Sequence, residues 1–141
     1  MKLQLITLNG SKFDDDIYEI TLPTTSGVIS VFPGHQPLVT LLKTGVLAVR
    51  RRKNDADNEL DYFATHGGVA EINGQQVRVL VDEADRSEDI AEAEAQKALE
   101  RAKALRASAK DQLEIDKAQA MIDRYATRIK VAGLRRRHRE R

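Results

Sequence analysis

Up to about residue 82 apolar positions recur at every second residue and are interrupted often by turn residues, a pattern that predicts short strands. Leu3, Leu5, Ile6 and Leu8 run into Asn9-Gly10; Ile17, Ile20 and Leu22 run into Pro23; Val28 to Phe32 runs into Pro33-Gly34; Leu38 to Leu42 runs into Thr44-Gly45. Val46 to Val49 enters the polar stretch Arg50 to Asp61, expected as a long hairpin loop, and Tyr62-Phe63-Ala64 precedes Gly67-Gly68, expected as a strand bend. Val69 to Ile72 meets Gln76 to Val81 across Asn73-Gly74, a dipeptide suited to a type I′ hairpin. Strands this short with turns this close predict an antiparallel sandwich or flattened barrel and not βαβ units.

The pattern changes after Asp85. From Ser87 to Arg141 there is no proline, one glycine, and a run of Ala, Glu, Lys, Arg, Gln and Leu, the strongest helix formers. Asp89 with Glu92, and Asp111 with Glu114, have the spacing of a capping box, in which side chains satisfy the free N–H groups of a helix start. Helices are therefore predicted near 89–108 and 112–133, with 108–111 a tight reversal that makes them antiparallel. The expected division is a sandwich over residues 1–85 and a helical hairpin with a basic tail over 86–141. One helical stripe runs Ala91, Ala95, Ala98, Leu99, Ala102, Leu105; the other runs Ile115, Ala118, Ile122, Ala126, Ile129. Each buried methyl contributes only about 0.8 kcal/mol, so an alanine seam holds two locally stable helices together weakly. Such helices can separate without melting; a permanently closed hairpin fits the same pattern.

Composition agrees with a small core plus an appendage: the 141 residues are 41% hydrophobic but only 4% aromatic. The absence of Cys excludes disulfides, thiol nucleophiles and thiolate metal sites, and fits a reducing compartment. Net charge is +1, but it is unevenly distributed. Residues 1–86 carry 9 Lys/Arg and 12 Asp/Glu, net −3; residues 87–141 carry 14 and 10, net +4; from Lys117 onward 9 bases face 2 acids, net +7. No apolar run has the length of a signal segment or a membrane span, so no direct membrane insertion is expected, although a membrane complex could hold the chain.

No catalytic constellation emerges. His35, His66 and His138 lack ligand spacing and read as structural or surface histidines. Asp14-Asp15-Asp16 lacks the glycine and terminal glutamate of a calcium loop and reads as an exposed turn, while Gly67-Gly68 leads into a strand where a phosphate loop would lead into a helix. The basic end is more informative. Lys117, Arg124, Arg128 and Arg135 are spaced to share one helix face, followed by Arg136, Arg137, Arg139 and Arg141. Such a face is either simply solvated or awaits an anion. With one aromatic residue, Tyr125, and no reading motif, nucleic acid is the poorer candidate and an acidic protein surface the better one. The expected mode of action is thus protein binding, without catalysis or cofactor.

The segment from Ser26 to Val46, with Pro33-Gly34-His35-Gln36-Pro37-Leu38 at its centre and Gly45-Val46 after it, resembles the epsilon subunit of F-type ATP synthases. Gly67-Gly68-Val69-Ala70-Glu71-Ile72, Val79-Leu80-Val81-Asp82 and Asp89-Ile90 match in the same order, so the resemblance covers essentially the whole chain. It implies a non-catalytic rotor subunit of the central stalk. The sandwich would bind the gamma subunit and sit on the ring of c subunits, with Val28, Phe32, Gly34 and His35 at the rotor contact, coupling proton flow to ATP synthesis. The helical arm could rise along gamma, and Lys117, Arg124, Arg128 and Arg135 would then meet an acidic segment of the catalytic beta subunit and block ATP hydrolysis. The resemblance also implies a peripheral position on the cytoplasmic side of the cell membrane for a bacterial-type protein; plastid-encoded members would look alike. Two departures stand out. Val28 and Ser30 replace an acidic residue and a glycine often found before the Pro-Gly-His loop. Ile90-Ala91-Glu92-Ala93-Glu94-Ala95 lacks the Asp and Arg of the Ile-Asp-x-x-Arg-Ala motif through which some bacterial members bind ATP, so weak or absent ATP binding is expected.

Overall fold

The computed structural model describes residues 1–139, with side chains described through Leu134. Eight strands come first: β1 Lys2–Thr7, β2 Gly10–Asp16, β3 Glu19–Thr24, β4 Gly27–Val31, β5 Leu38–Leu42, β6 Gly45–Arg50, β7 Asp61–Asn73 and β8 Gln76–Arg86. A short 3-10 turn, Ser87–Asp89, leads to α1 Glu92–Ala107 and α2 Gln112–Arg139. The sandwich followed by a helical hairpin is the architecture the sequence pattern predicts.

The strand order is β2-β1-β8-β7-β5-β3-β4, with β6 bridging β3 and β7. Strand β7 serves both layers: its residues 61–65 pair with β6 and its residues 68–72 with β5. The change of partner falls on Gly67-Gly68, the predicted bend. Both glycines have left-handed backbone, and a Cβ on Gly68 would lie 2.0 Å from the Leu80 carbonyl oxygen. The two strands reverse their faces together here: Phe63 and Ala84 point into the core on one side of the bend, Ala70, Ile72, Val77, Val79 and Val81 on the other. Within this mostly antiparallel arrangement β1 runs parallel to β8, from Lys2 opposite Gln76 to Ile6 opposite Leu80. A parallel pair cannot come from a tight hairpin, so the neighbour pattern of short strands did not reveal it. The core is aliphatic, built on Leu3, Leu5, Ile20, Leu22, Leu47 and Val49, with Phe63 meeting Phe13 edge to face at 6.3 Å.

Several local expectations are corrected. Asp14-Asp15-Asp16 is not a turn but the exposed end of edge strand β2, paired with Lys2, Leu3 and Gln4 of β1; charge on an edge discourages pairing with other chains. Pro23 does not end β3, since its carbonyl accepts from the Lys43 N–H at 2.9 Å and Thr24 still pairs. The β7–β8 hairpin is not type I′, because Asn73, Gly74 and Gln75 all keep negative φ. Instead Asn73 Oδ1 accepts from the N–H groups of Gln75 and Gln76, at 3.1 and 2.9 Å, and closes the turn by a side chain.

The loop between β6 and β7 carries a single 3-10 turn, Asp57–Glu59, and is pinned by Arg50. Its Nε donates to Glu19 Oε2 at 3.0 Å, Nη2 donates to Asp57 Oδ1 at 2.9 Å, and Nη1 donates to the Asp55 carbonyl. The hydrogen bond to Asp57 above all, then that to Glu19, raises the guanidinium pKa further and fixes its charge.

Of the two capping boxes, the one at Asp111 forms, with its return bond shifted by one residue. Asp111 Oδ1 accepts the Glu114 N–H at 2.8 Å, while Glu114 Oε2 reaches back to the Lys110 N–H, also at 2.8 Å. Asp89 instead sits in the 3-10 turn, and α1 begins after Ala91 without a side-chain cap. The cause is Ile90, which is buried against the sandwich and holds the chain extended for one more residue before the helix can start. Helix α2 also runs on past the predicted 133 to Arg139.

Candidate functional site

The arm touches the sandwich through α2. Val131 is fully buried and joins Ala64 of β7 and Ile90 in a small cluster, flanked by Val46, Tyr62 and Ala132. Helix α1 lies outside, packed on α2 through Ala95, Leu99 and Ala102, with Ala118 buried opposite. Ala91, Ala126 and Leu105, expected in the seam, are exposed. Near the reversal the seam opens into a groove of about 320 Å³ lined by Lys103, Arg106, Ala107, Ile115 and Ile122. Helix α2 therefore has two working faces, and the second was not foreseen: Arg124, Arg128 and Val131 share the face turned to the sandwich.

On that face two arginines meet two acids of β8. Arg124 Nη2 donates to Glu83 Oε1 at 2.6 Å, and Arg128 Nη1 lies 3.9 Å from Asp85 Oδ2. Glu83 and Asp85 flank the inward-pointing Ala84, so both project outward toward α2. Two residues along a strand span about 6.8 Å and four along a helix about 6.0 Å, so the two pairs fall into register with little strain. His66, opposite Glu83 on β7, borders the same contact, and its Nδ1 lies 2.7 Å from Thr44 Oγ1. Of the four bases expected to share one helix face, Arg124 and Arg128 meet the sandwich, Lys117 is exposed nearer the start of α2, and the side chain of Arg135 lies outside the described residues, as do the side chains of Arg136, Arg137, His138, Arg139 and Arg141.

The sandwich carries two apolar surfaces of its own. Val28 at the outer face of β4 is 67% exposed, and Phe32 stacks edge to face on Tyr18 at 5.6 Å while remaining partly open. Between them and β5 runs the Pro33-Gly34-His35 loop. It is held by Gly34 N–H to the Gly74 carbonyl at 3.1 Å and His35 N–H to the Phe32 carbonyl at 3.2 Å, with left-handed backbone at Gly34. The second surface crosses the outer face of four strands: Leu41 pairs with Val69, Val69 with Leu80, and Leu80 with Ile6. Leu41 in this row is 61% exposed, and Val39, on the same face but in the neighbouring row opposite Glu71, is 71% exposed. Apolar residues gathered in a row on an exposed sheet are the mark of a protein contact.

These surfaces sit on a known fold. The family model for the ATP synthase, Delta/Epsilon chain, beta-sandwich domain matches residues 1–87. The chain belongs to the ATP synthase epsilon-chain family. An epsilon chain from a strain of Prochlorococcus marinus is 36% identical over 112 residues, 79% of either chain. The chloroplastic epsilon chain of Cucumis sativus is 34% identical over 129 residues, covering 92% of this chain and 93% of that one. Among solved structures, a chain in the Euglena gracilis mitochondrial ATP synthase (OSCP/F1/c-ring) matches with a TM-score of 0.78 and 25% identity over 94% of this chain and 79% of that one. A chain of the Tetrahymena thermophila central stalk and c-ring shares the fold, with a TM-score of 0.63 at 13% identity.

For an epsilon chain, the informative residues that sequence patterning missed are Glu83, Asp85 and the Leu41-Val69-Leu80-Ile6 row. Acids at alternate positions near the end of β8 and arginines four apart on a later helix were both visible, but their matching required the two elements to be laid side by side. Among the described residues no helix is long and apolar enough to cross a membrane, and no three acids or histidines converge as metal ligands.

Proposed function

We propose that this epsilon chain is a non-catalytic rotor subunit that couples rotation of the proton-driven c ring to ATP synthesis, with a sandwich that binds constitutively and an arm, residues 86–141, that binds conditionally. The single observation that carries the reading is the uncovered apolar row Leu41-Val69-Leu80-Ile6 on a sandwich of this family, which gives gamma a surface to bury. Val28, Phe32, Gly34 and His35 would meet the c ring, by shape and apolar contact, since Val28 and Ser30 supply no charge. The complex would hold the chain peripherally, on the cytoplasmic face in a bacterial setting.

The arm would inhibit ATP hydrolysis by presenting Lys117, Arg124, Arg128 and Arg135 to an acidic segment of the catalytic beta subunit. Its slight attachment among the described residues, one apolar cluster and two ion pairs, supports a movable element. The test is truncation after Arg86 in the assembled enzyme: assembly and coupled synthesis should persist while hydrolysis rises. Unchanged hydrolysis would remove the inhibitory half of the reading.

One observation favours a second reading. Arg124 and Arg128 already have acidic partners on the sandwich, as a permanently closed coupling subunit would. Changing both to Ala in the complex would then leave hydrolysis where it was.

A further inference from the structure

We propose that Glu83 and Asp85 are an internal competitor: they hold Arg124 and Arg128 against the sandwich and must be displaced before those arginines can engage another acidic surface. This deepens the inhibitory reading above and rests on it for the identity of the outside partner, an acidic protein segment.

The geometry of the pairs carries the inference. All four groups are partly exposed, between 26% and 36%, so water can reach and replace either partner. Each contact is single-pronged. Arg124 engages Glu83 through one nitrogen, and Arg128 stands beyond hydrogen-bonding distance of Asp85. In both guanidinium groups Nε is buried and has no hydrogen-bond partner. A carboxylate that approached in a fork would satisfy Nε and one terminal nitrogen together, a stronger and more directional contact than the present one. The docked arm is thus satisfied enough to persist and unsatisfied enough to be outcompeted.

Because the same two arginines serve both contacts, the contacts exclude each other. Neutralising the acids and neutralising the arginines should both free the arm from the sandwich, yet act on hydrolysis in opposite directions. Freed arginines are available to inhibit; absent arginines are not.

The chain has no cysteine, so a distance pair can be introduced cleanly at exposed Lys53 and Lys110 as Lys53→Cys and Lys110→Cys. Spin labels there, in the full chain assembled with the other subunits, report arm docking by pulsed resonance while ATP hydrolysis is followed in parallel. With Glu83→Gln and Asp85→Asn, two amides of nearly unchanged volume, the docked-to-undocked ratio should fall roughly tenfold, as expected for two partly screened pairs. Hydrolysis should fall with it. Arg124→Ala with Arg128→Ala should give the same movement with raised hydrolysis. A distance distribution unchanged by the two amides would overturn the competitor. Arm movement without any change in hydrolysis would leave the competitor standing and overturn the inhibitory reading instead.

Discussion

Among the described residues Val131 is the one large side chain of the arm wholly removed from water in the contact with the sandwich, and Val131→Ala tests how the two halves are joined. Two methylene-sized groups are lost, about 1.6 kcal/mol of transfer energy, and because the space they leave collapses only in part the cost rises to roughly 2 to 2.5 kcal/mol. Alanine is the better helix former, but α2 stays helical whether docked or not, so this gain of about 0.5 kcal/mol cancels between the two states. The loss of about 2 to 2.5 kcal/mol falls on docking alone, a roughly thirty- to seventyfold drop in the docked population. Val131 lies outside the main sandwich core, so the sandwich should keep its unfolding temperature. Native-state amide exchange reads both quantities at once: the amides of Ala64 and of α2 nearest Val131 should exchange faster, while those of Val79 and Phe63 hold. If exchange accelerated equally throughout, with the thermal midpoint falling by several degrees, arm and sandwich would be one cooperative unit and the separability argued from this small cluster would be wrong.

Two further outcomes follow from local geometry. Gly68→Ala should destabilise the sandwich by more than about 3 kcal/mol, because its Cβ would collide with the Leu80 carbonyl, whereas Gly67→Ala, whose nearest neighbour is Asp82 Oδ2 at 3.5 Å, should cost only about 1 kcal/mol. Equal urea midpoints for the two variants would contradict the crossing at Gly68. Burial, and secondarily the charge of Asp57, raise the Tyr62 phenol above its ordinary value. Unfolded tyrosine ionises near about pH 10, so above that pH the native state retains a proton the unfolded chain has released; stability is flat below and declines as pH rises further. Tyr62→Phe should flatten that decline in urea midpoints measured between pH 9 and 11, and parallel curves would refute the assignment.

The sandwich was legible because its signal is local. Alternation marks a strand half-buried against one core, and glycine pairs mark where the chain must bend. What escaped notice was non-local or depended on tertiary contacts. The β1–β8 pair joins residues 74 positions apart with no connecting hairpin to announce it. Strand β2 has one buried residue, Phe13, and its flanking charges imitate a loop. At Asp89 a sound capping signal lost to a tertiary demand, the burial of Ile90, which outweighs a cap worth about 1 kcal/mol.

The arm shows the same limit for electrostatics. A charge count along the chain reveals that Lys117 onward is cationic and that residues 1–86 are anionic, and this already suggests attraction between the halves. It does not reveal an address. Pairing requires a strand that presents Glu83 and Asp85 on one face, a helix that presents Arg124 and Arg128 at a nearly equal spacing, and an apolar anchor, Val131, to set the two against each other. The anchor fixes which of the described bases are used, since Arg124 and Arg128 share its face and lie close to it while Lys117, two turns before Arg124, is exposed. Apolar burial therefore sets the position of the arm and charge sets how firmly it stays. A partner acting on the arginines could weaken the hold while leaving Val131 as the remaining barrier to release, so the lifetime of the docked state should respond to Val131→Ala even where Glu83 and Asp85 have been neutralised.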